Sequence, residues 1–145
     1  LVLSNTDSGA LVTLRLPLRR VEAPSDPALV LLVEDDPDLR DHIRDMLIQL
    51  GHAVIEASSA KEAEALLADL QDIRIVLSDL RLEGPETGLD LARREAQKDV
   101  RLMTSLPPSD PLAVEAAYIA PLLQKPFDIQ VLQGFLHGLP PKETP

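Results

Sequence analysis

The chain contains no cysteine and no tryptophan, and only one tyrosine and two phenylalanines among its 145 residues. Without cysteine there is no disulfide, no zinc–thiolate site and no thiol nucleophile. So few aromatics cannot build a stacking platform for single-stranded nucleic acid. Basic residues are scarce as well, 14 against 24 acids, and a formal net charge of −10 argues against a nucleic-acid-binding face. No apolar run approaches the ~18 residues that a membrane span needs, and no signal peptide is visible. The chain opens on Leu1 rather than Met, as expected of a piece of a longer protein. The length suits one domain that can bury a core without covalent staples. The expectation is therefore a soluble, cytoplasmic, acidic domain with no direct nucleic-acid or membrane contact.

What is present is unevenly distributed. Residues 1–27 carry Arg15, Arg19 and Arg20 against Asp7, Glu22 and Asp26, so the whole negative excess lies in residues 28–145. Composition changes at the same place, where Ala23-Pro24-Ser25-Asp26-Pro27 reads as a turn and linker. Pro140-Pro141-Lys142-Glu143-Thr144-Pro145 reads as a frayed tail. The expected layout is a leader at 1–27, a compact domain at 28–139 and a tail at 140–145.

Within 28–139, strand and helix signals alternate. Ala28 to Val33 is a continuous apolar run, the mark of a strand buried on both faces. It stops at Glu34-Asp35-Asp36, after which Pro37 suits the first helical position and Asp36 its cap. Leu39, Ile43, Met46, Leu47 and Leu50 recur at helical spacing, with Gly51 as a stop. Ala53-Val54-Ile55 reads as a second strand, and Ser59 to Glu62 as a capping box opening a second helix. Ile73 to Leu77 makes a third strand that closes on Ser78-Asp79. A helix from Leu89 to about Gln97 follows, then a fourth strand from Val100 to Met103 that ends in Thr104-Ser105. A helix near Asp110–Tyr118, a fifth strand within Ile119–Gln124 and a last helix capped by Asp128 complete the series. Five strands alternating with helices predict an α/β fold with a doubly wound, five-stranded parallel sheet.

Such sheets carry their sites at the carboxyl ends of the strands. Glu34, Asp35, Asp79, Thr104 and Lys125 all fall at those ends. Three carboxylates brought together repel one another and need a counter-charge. A hard divalent cation supplies it, Mg²⁺ being the one that accepts few carboxylates plus waters. Carboxylates, metal, lysine and hydroxyl together make a phosphoryl-binding set, with an aspartyl phosphate as the covalent product.

Leu31-Leu32-Val33-Glu34-Asp35-Asp36-Pro37, Leu77-Ser78-Asp79-Leu80-Arg81-Leu82, Met103-Thr104-Ser105 and Gln124-Lys125-Pro126-Phe127 resemble, in order, the four signatures of response-regulator receiver domains. The resemblance covers about residues 28–139 and implies a flavodoxin-like fold. It implies that Asp79 is the phosphoacceptor and that Glu34 and Asp35 are the acidic pair, with Asp35 a direct Mg²⁺ ligand. It implies that Arg81 offers a backbone carbonyl to the metal, that Thr104 is the switch hydroxyl and that Lys125 contacts the phosphoryl oxygens. It also implies a cis bond before Pro126 and a phosphohistidine-bearing kinase or phosphotransfer domain as partner. In the leader, Ser8 to Leu18 resembles the last strand of a histidine-kinase ATP-binding domain. The parent is then expected to be a hybrid sensor kinase, itself membrane-attached or not, with this chain as its carboxyl-terminal receiver. The leader strand, or the face of the fourth helix, fifth strand and fifth helix, is the expected dimer contact.

The chain departs from the family pattern in places. The proline usual four residues after the phosphoacceptor is Glu83, and the following glycine, Gly88, comes one position late. The segment from Gly88 to Thr104 is short, which predicts a clipped third helix. The position three before Lys125, aromatic in members that couple the hydroxyl to a ring, is Leu122. Four prolines, Pro107, Pro108, Pro111 and Pro121, crowd the fourth helix.

Each residue alone has a plainer reading. Glu34, Asp35 and Asp36 suit a helix amino end, Asp79 suits a turn, Lys125 suits a solvated surface, and Arg93-Arg94 suit an exposed helix face. His42, His52 and His137 are scattered and read as neither ligands nor phosphodonors. Three functions follow. The leading one is a phosphoacceptor module of a two-component phosphorelay. The others are a degenerate receiver that only binds partners, and a Mg²⁺-dependent phosphohydrolase with an aspartyl nucleophile.

Overall fold

The computed structural model describes residues 27–137, together with Thr6–Asp7 and Gly9–Ala10, which pair as a short antiparallel ladder. The rest of the leader and the 140–145 tail lie outside the described residues. The main chain alternates β1 (Leu29–Val33), α1 (Pro37–Gln49), β2 (Ala53–Ala57), α2 (Ala60–Asp69), β3 (Ile73–Asp79), α3 (Gly88–Arg94), β4 (Asp99–Thr104), α4 (Pro111–Ile119), β5 (Leu122–Gln124) and α5 (Ile129–His137). All five strands are parallel and lie in the order β2-β1-β3-β4-β5.

The helices cover both faces of the sheet, and the period-2 alternation of each strand decides which core a side chain joins. Leu31, Val33, Val76, Val100 and Leu102 point to the α2, α3 and α4 side, against Ala63, Leu67, Leu91 and Ala116. Val30, Leu32, Ile75, Leu77 and Met103 point to the α1 and α5 side, against Ile43, Leu47, Leu132 and Leu136. Burial on both faces is why β1 reads as an unbroken apolar run, whereas Glu56, Arg74 and Arg101 interrupt β2, β3 and β4. Among the described residues, no helix is long and apolar enough to cross a membrane.

Local chemistry sets the helix ends. Pro37 opens α1, and the Asp36 carboxylate accepts from the Asp38 and Leu39 amides at 3.0 and 3.3 Å. Gly51 follows α1 with φ +96°, a conformation open to glycine. Ser59 caps α2 by accepting from the Glu62 amide at 3.1 Å. The expected reciprocal box is not formed there, because the Glu62 carboxylate turns to the amide and hydroxyl of Ser58 at 2.8 and 3.0 Å. The reciprocal box instead opens α3, between Thr87 and Asp90.

The third helix ends earlier than the expected limit near Gln97, and the fifth strand is the short one, after Pro121, that its proline implies. α3 ends at Arg94 rather than near Gln97, because Ala96 and Gln97 face solvent and add nothing to the buried stripe. A turn closed by the Lys98 amide on the Glu95 carbonyl at 2.9 Å then enters β4. β5 begins only at Leu122. α4 runs on through Ile119, and Pro121 lacks an amide for the ladder. The Pro121 carbonyl is still used, accepting from the Leu102 amide at 2.8 Å. The Lys125–Pro126 bond is cis.

Candidate functional site

The chain leaves β1 toward β2 on one side and β3 continues to β4 on the other, so a crevice opens above the carboxyl ends of β1 and β3. Glu34 and Asp35 follow β1 directly and Asp79 is the last residue of β3. Each offers a carboxylate oxygen, and the three atoms lie within 4.8 Å of one another. Glu34 is 1 % exposed, Asp79 8 %, and Asp35 is half-buried.

Lys125 reaches this cluster from the far side of the sheet. β5 pairs with β4 through Thr104 and Gln124, and the Lys125 amide donates to the Thr104 carbonyl at 2.8 Å. That register aims the ammonium inward, 3.1 Å from Glu34 Oε1 and 3.1 Å from Asp79 Oδ1. The other oxygen of Glu34 accepts from the Asp36 amide at 3.2 Å, and its carbonyl accepts from Arg40 at 2.8 Å. Burial pushes the Glu34 carboxyl above its ordinary range, with the charge of Asp79 adding to the effect and Lys125 opposing it. Burial likewise raises Asp79, again against the pull of Lys125. One lysine thus serves two buried acids, and the cluster keeps excess negative charge.

The remaining sequence-predicted residues fall around this centre. Thr104 ends β4 at 1 % exposure, and its hydroxyl accepts from the Leu106 amide at 3.0 Å. Arg81 is exposed in the loop that leaves Asp79. Leu122 is half-buried against the α2–α4 core and offers no ring to couple to Thr104. Arg93 and Arg94 are exposed but not free: Arg93 pairs with Glu115, and Arg94 with Glu86 and Glu64. His42 is exposed and lines an apolar groove of about 320 Å³, together with Lys125 and Phe127.

Sequence reasoning missed three contacts. The Glu83 amide donates to Asp35 Oδ2 at 2.7 Å. The Ser78 hydroxyl donates to the Asp79 carbonyl at 2.9 Å. Gly88 lies against that same carbonyl, where an added Cβ would stand 2.2 Å from the oxygen. Only the last had a signal in the sequence, a glycine placed just inside a helix start.

The donor set suits a hard cation. It consists of carboxylate oxygens, converging, partly buried and short of positive charge.

A family model for the response regulator receiver domain matches residues 30–137. The chain belongs to this family. The receiver is 35 % identical over 116 residues to the transcriptional regulatory protein PhoP of Escherichia coli strain K12, covering 76 % of this chain and 51 % of that protein. It is 41 % identical over 68 residues to the transcriptional regulatory protein AruR of Pseudomonas aeruginosa, covering 44 % and 28 %. The chain thus spans about half or less of the length of these curated relatives. Among solved structures it resembles a response regulator receiver protein from Pseudomonas putida, with TM-score 0.66, 26 % identity and coverage of 79 % and 99 %. The chemotaxis protein CheY4 of Vibrio cholerae shares the fold, with TM-score 0.66, 22 % identity and coverage of 79 % and 100 %. The receiver is therefore a module of two-component signalling with the flavodoxin-like architecture.

Proposed function

We propose that this receiver accepts a phosphoryl group from a phosphohistidine onto Asp79 and thereby changes its affinity for a partner. The observation that carries the reading is Lys125 held 3.1 Å from both Asp79 and Glu34, within a cluster of three carboxylates. An oxygen of Asp79 attacks phosphorus in line. The P–N bond breaks, its electron pair stays on the imidazole nitrogen, and that nitrogen takes up a proton. Lys125, 3.1 Å from Asp79, would meet a phosphoryl oxygen of the acyl phosphate so formed. Glu34, Asp35 and Asp79, with the Arg81 carbonyl, would hold Mg²⁺. A bound Mg²⁺ supplies positive charge against the transferring phosphoryl oxygens. Thr104 offers its hydroxyl to the phosphoryl group and carries the change to β4 and α4.

Support for the hybrid-kinase parent comes from the leader pattern, most of which lies outside the described residues. Curated relatives named as transcriptional regulators favour a second parent type, in which nucleic-acid binding belongs to another part of the protein.

Incubation with Mg²⁺ and acetyl phosphate tests the central reading. The expected result is a base-labile mass gain of one phosphoryl group that is lost in Asp79→Asn. No adduct under any condition supports the partner-binding module instead. Multiple turnover of unrelated phosphomonoesters supports the phosphohydrolase.

A further inference from the structure

The loop joining β3 to α3, residues 80–87, is tied down along its length. Its start is closed by the Gly88 amide donating to the Leu80 carbonyl at 2.8 Å. Its end is closed by the Thr87–Asp90 box and by Arg94, which holds Glu86 at 2.8 and 3.0 Å and Glu64 of α2 at 2.7 Å. Its middle has one tie to the crevice, the 2.7 Å bond from the Glu83 amide to Asp35 Oδ2, across 48 positions of chain. That length belongs to a charge-assisted bond, which is stronger than a neutral one.

We propose that the backbone amide of Glu83 is a positioning group for the metal site. It fixes the plane of the Asp35 carboxylate and couples it to the loop that carries Arg81. The inference rests on the Mg²⁺-dependent phosphoacceptor reading. Asp35 follows β1 and Arg81 follows β3, and the Glu83 amide is a direct tie between the two exits beyond Val33 and Ser78, where the pairing of those strands ends. Ligating carboxylates depend on such outer partners for their orientation.

The residue type matters through its backbone. The family resemblance places a proline here, and proline has no amide to donate. In this chain the one-position delay of Gly88 lengthens the loop, and a non-proline residue at 83 supplies the bond. The Glu83 side chain is exposed and plays no part in the proposal.

Calorimetric titration with MgCl₂ of the wild-type chain, Glu83→Pro and Glu83→Ala tests this. Glu83→Pro is expected to weaken Mg²⁺ binding about tenfold. Glu83→Ala, which keeps the amide, is expected to fall short of that loss. In acetyl phosphate assays Glu83→Pro raises the Mg²⁺ concentration for half-maximal phosphorylation more than it lowers the rate at saturating Mg²⁺. Equal affinity of Glu83→Pro and wild type overturns the inference, as does an equal loss in Glu83→Ala. Circular dichroism melts establish that each variant is folded. If Glu83→Pro does not fold, replacing the amide at 83 by an ester removes the donor without constraining the backbone, and wild-type affinity of the ester overturns the inference. A wild-type chain that binds no Mg²⁺ overturns the underlying reading instead, and the two failures are distinct.

Discussion

Gly88 opens α3 directly beneath the backbone of Asp79, so close that a Cβ at 88 would stand 2.2 Å from the Asp79 carbonyl oxygen. The neighbour is backbone, not the end of a flexible side chain, so it cannot yield without moving the aspartate. Gly88→Ala is therefore expected to cost about 2 kcal/mol of stability and to slow phosphorylation by acetyl phosphate. Urea denaturation and the rate of adduct formation measure the two effects.

Asp79→Asn removes one of three converging carboxylates and leaves Lys125 paired with Glu34. The adduct is expected to disappear from the mass spectrum. In metal-free buffer the variant is expected to gain about 1 kcal/mol, a rise in Tm of roughly 4 °C, because a strained acidic cluster is relieved. A variant that still carries the phosphoryl group contradicts the assignment of Asp79.

The same cluster sets a pH dependence whose sign follows from burial. Glu34 and Asp79 are raised above their ordinary values in the folded state. The folded chain therefore takes up protons at higher pH than the unfolded chain. Their destabilising contribution is full above the raised values and is relieved as pH falls through them toward the ordinary carboxylate range. The stability advantage of Asp79→Asn over wild type is expected to shrink as pH falls through the raised values toward the ordinary carboxylate range. Paired thermal melts without Mg²⁺ check this, and an advantage that grows on acidification contradicts it.

Lys125→Ala leaves Glu34 and Asp79 buried without their shared cation. The expected loss in metal-free buffer is about 3 kcal/mol. Added Mg²⁺ is expected to recover part of it by binding only the folded chain. Denaturation curves with and without MgCl₂ test both statements.

Arg101 lies 8 % exposed on β4, where it pairs with Asp99 at 2.7 Å and donates to the Leu136 and Phe135 carbonyls at the end of α5. It fastens the last helix to the sheet through two of that helix's backbone carbonyls. Arg101→Ala is expected to cost about 2 kcal/mol and to speed amide exchange within α5 before the rest of the domain.

Much of this molecule was legible in one dimension because burial in a parallel sheet writes itself as short, largely apolar runs, unbroken in β1 and interrupted once, by Arg74, in β3. Where Leu29–Val33 and Ile73–Leu77 stop, polar residues must begin, and those stops located Glu34 and Asp79. Helix starts were legible where a side chain caps its own amides, as at Asp36 and Ser59. Boundaries failed where a solvent-facing stretch carried no signal, as beyond Arg94.

By itself, the sequence determined the alternation of elements, the parallel sheet and the polar residues at each strand end, because those depend on local periodicity and on nearest neighbours along the chain. Only the tertiary structure decided that Lys125 serves two acids at once, that the Glu83 amide holds Asp35 and that Gly88 lies against Asp79. These contacts arise from strand register and from the closeness of chain segments far apart in sequence. No local pattern encodes a distance across a sheet.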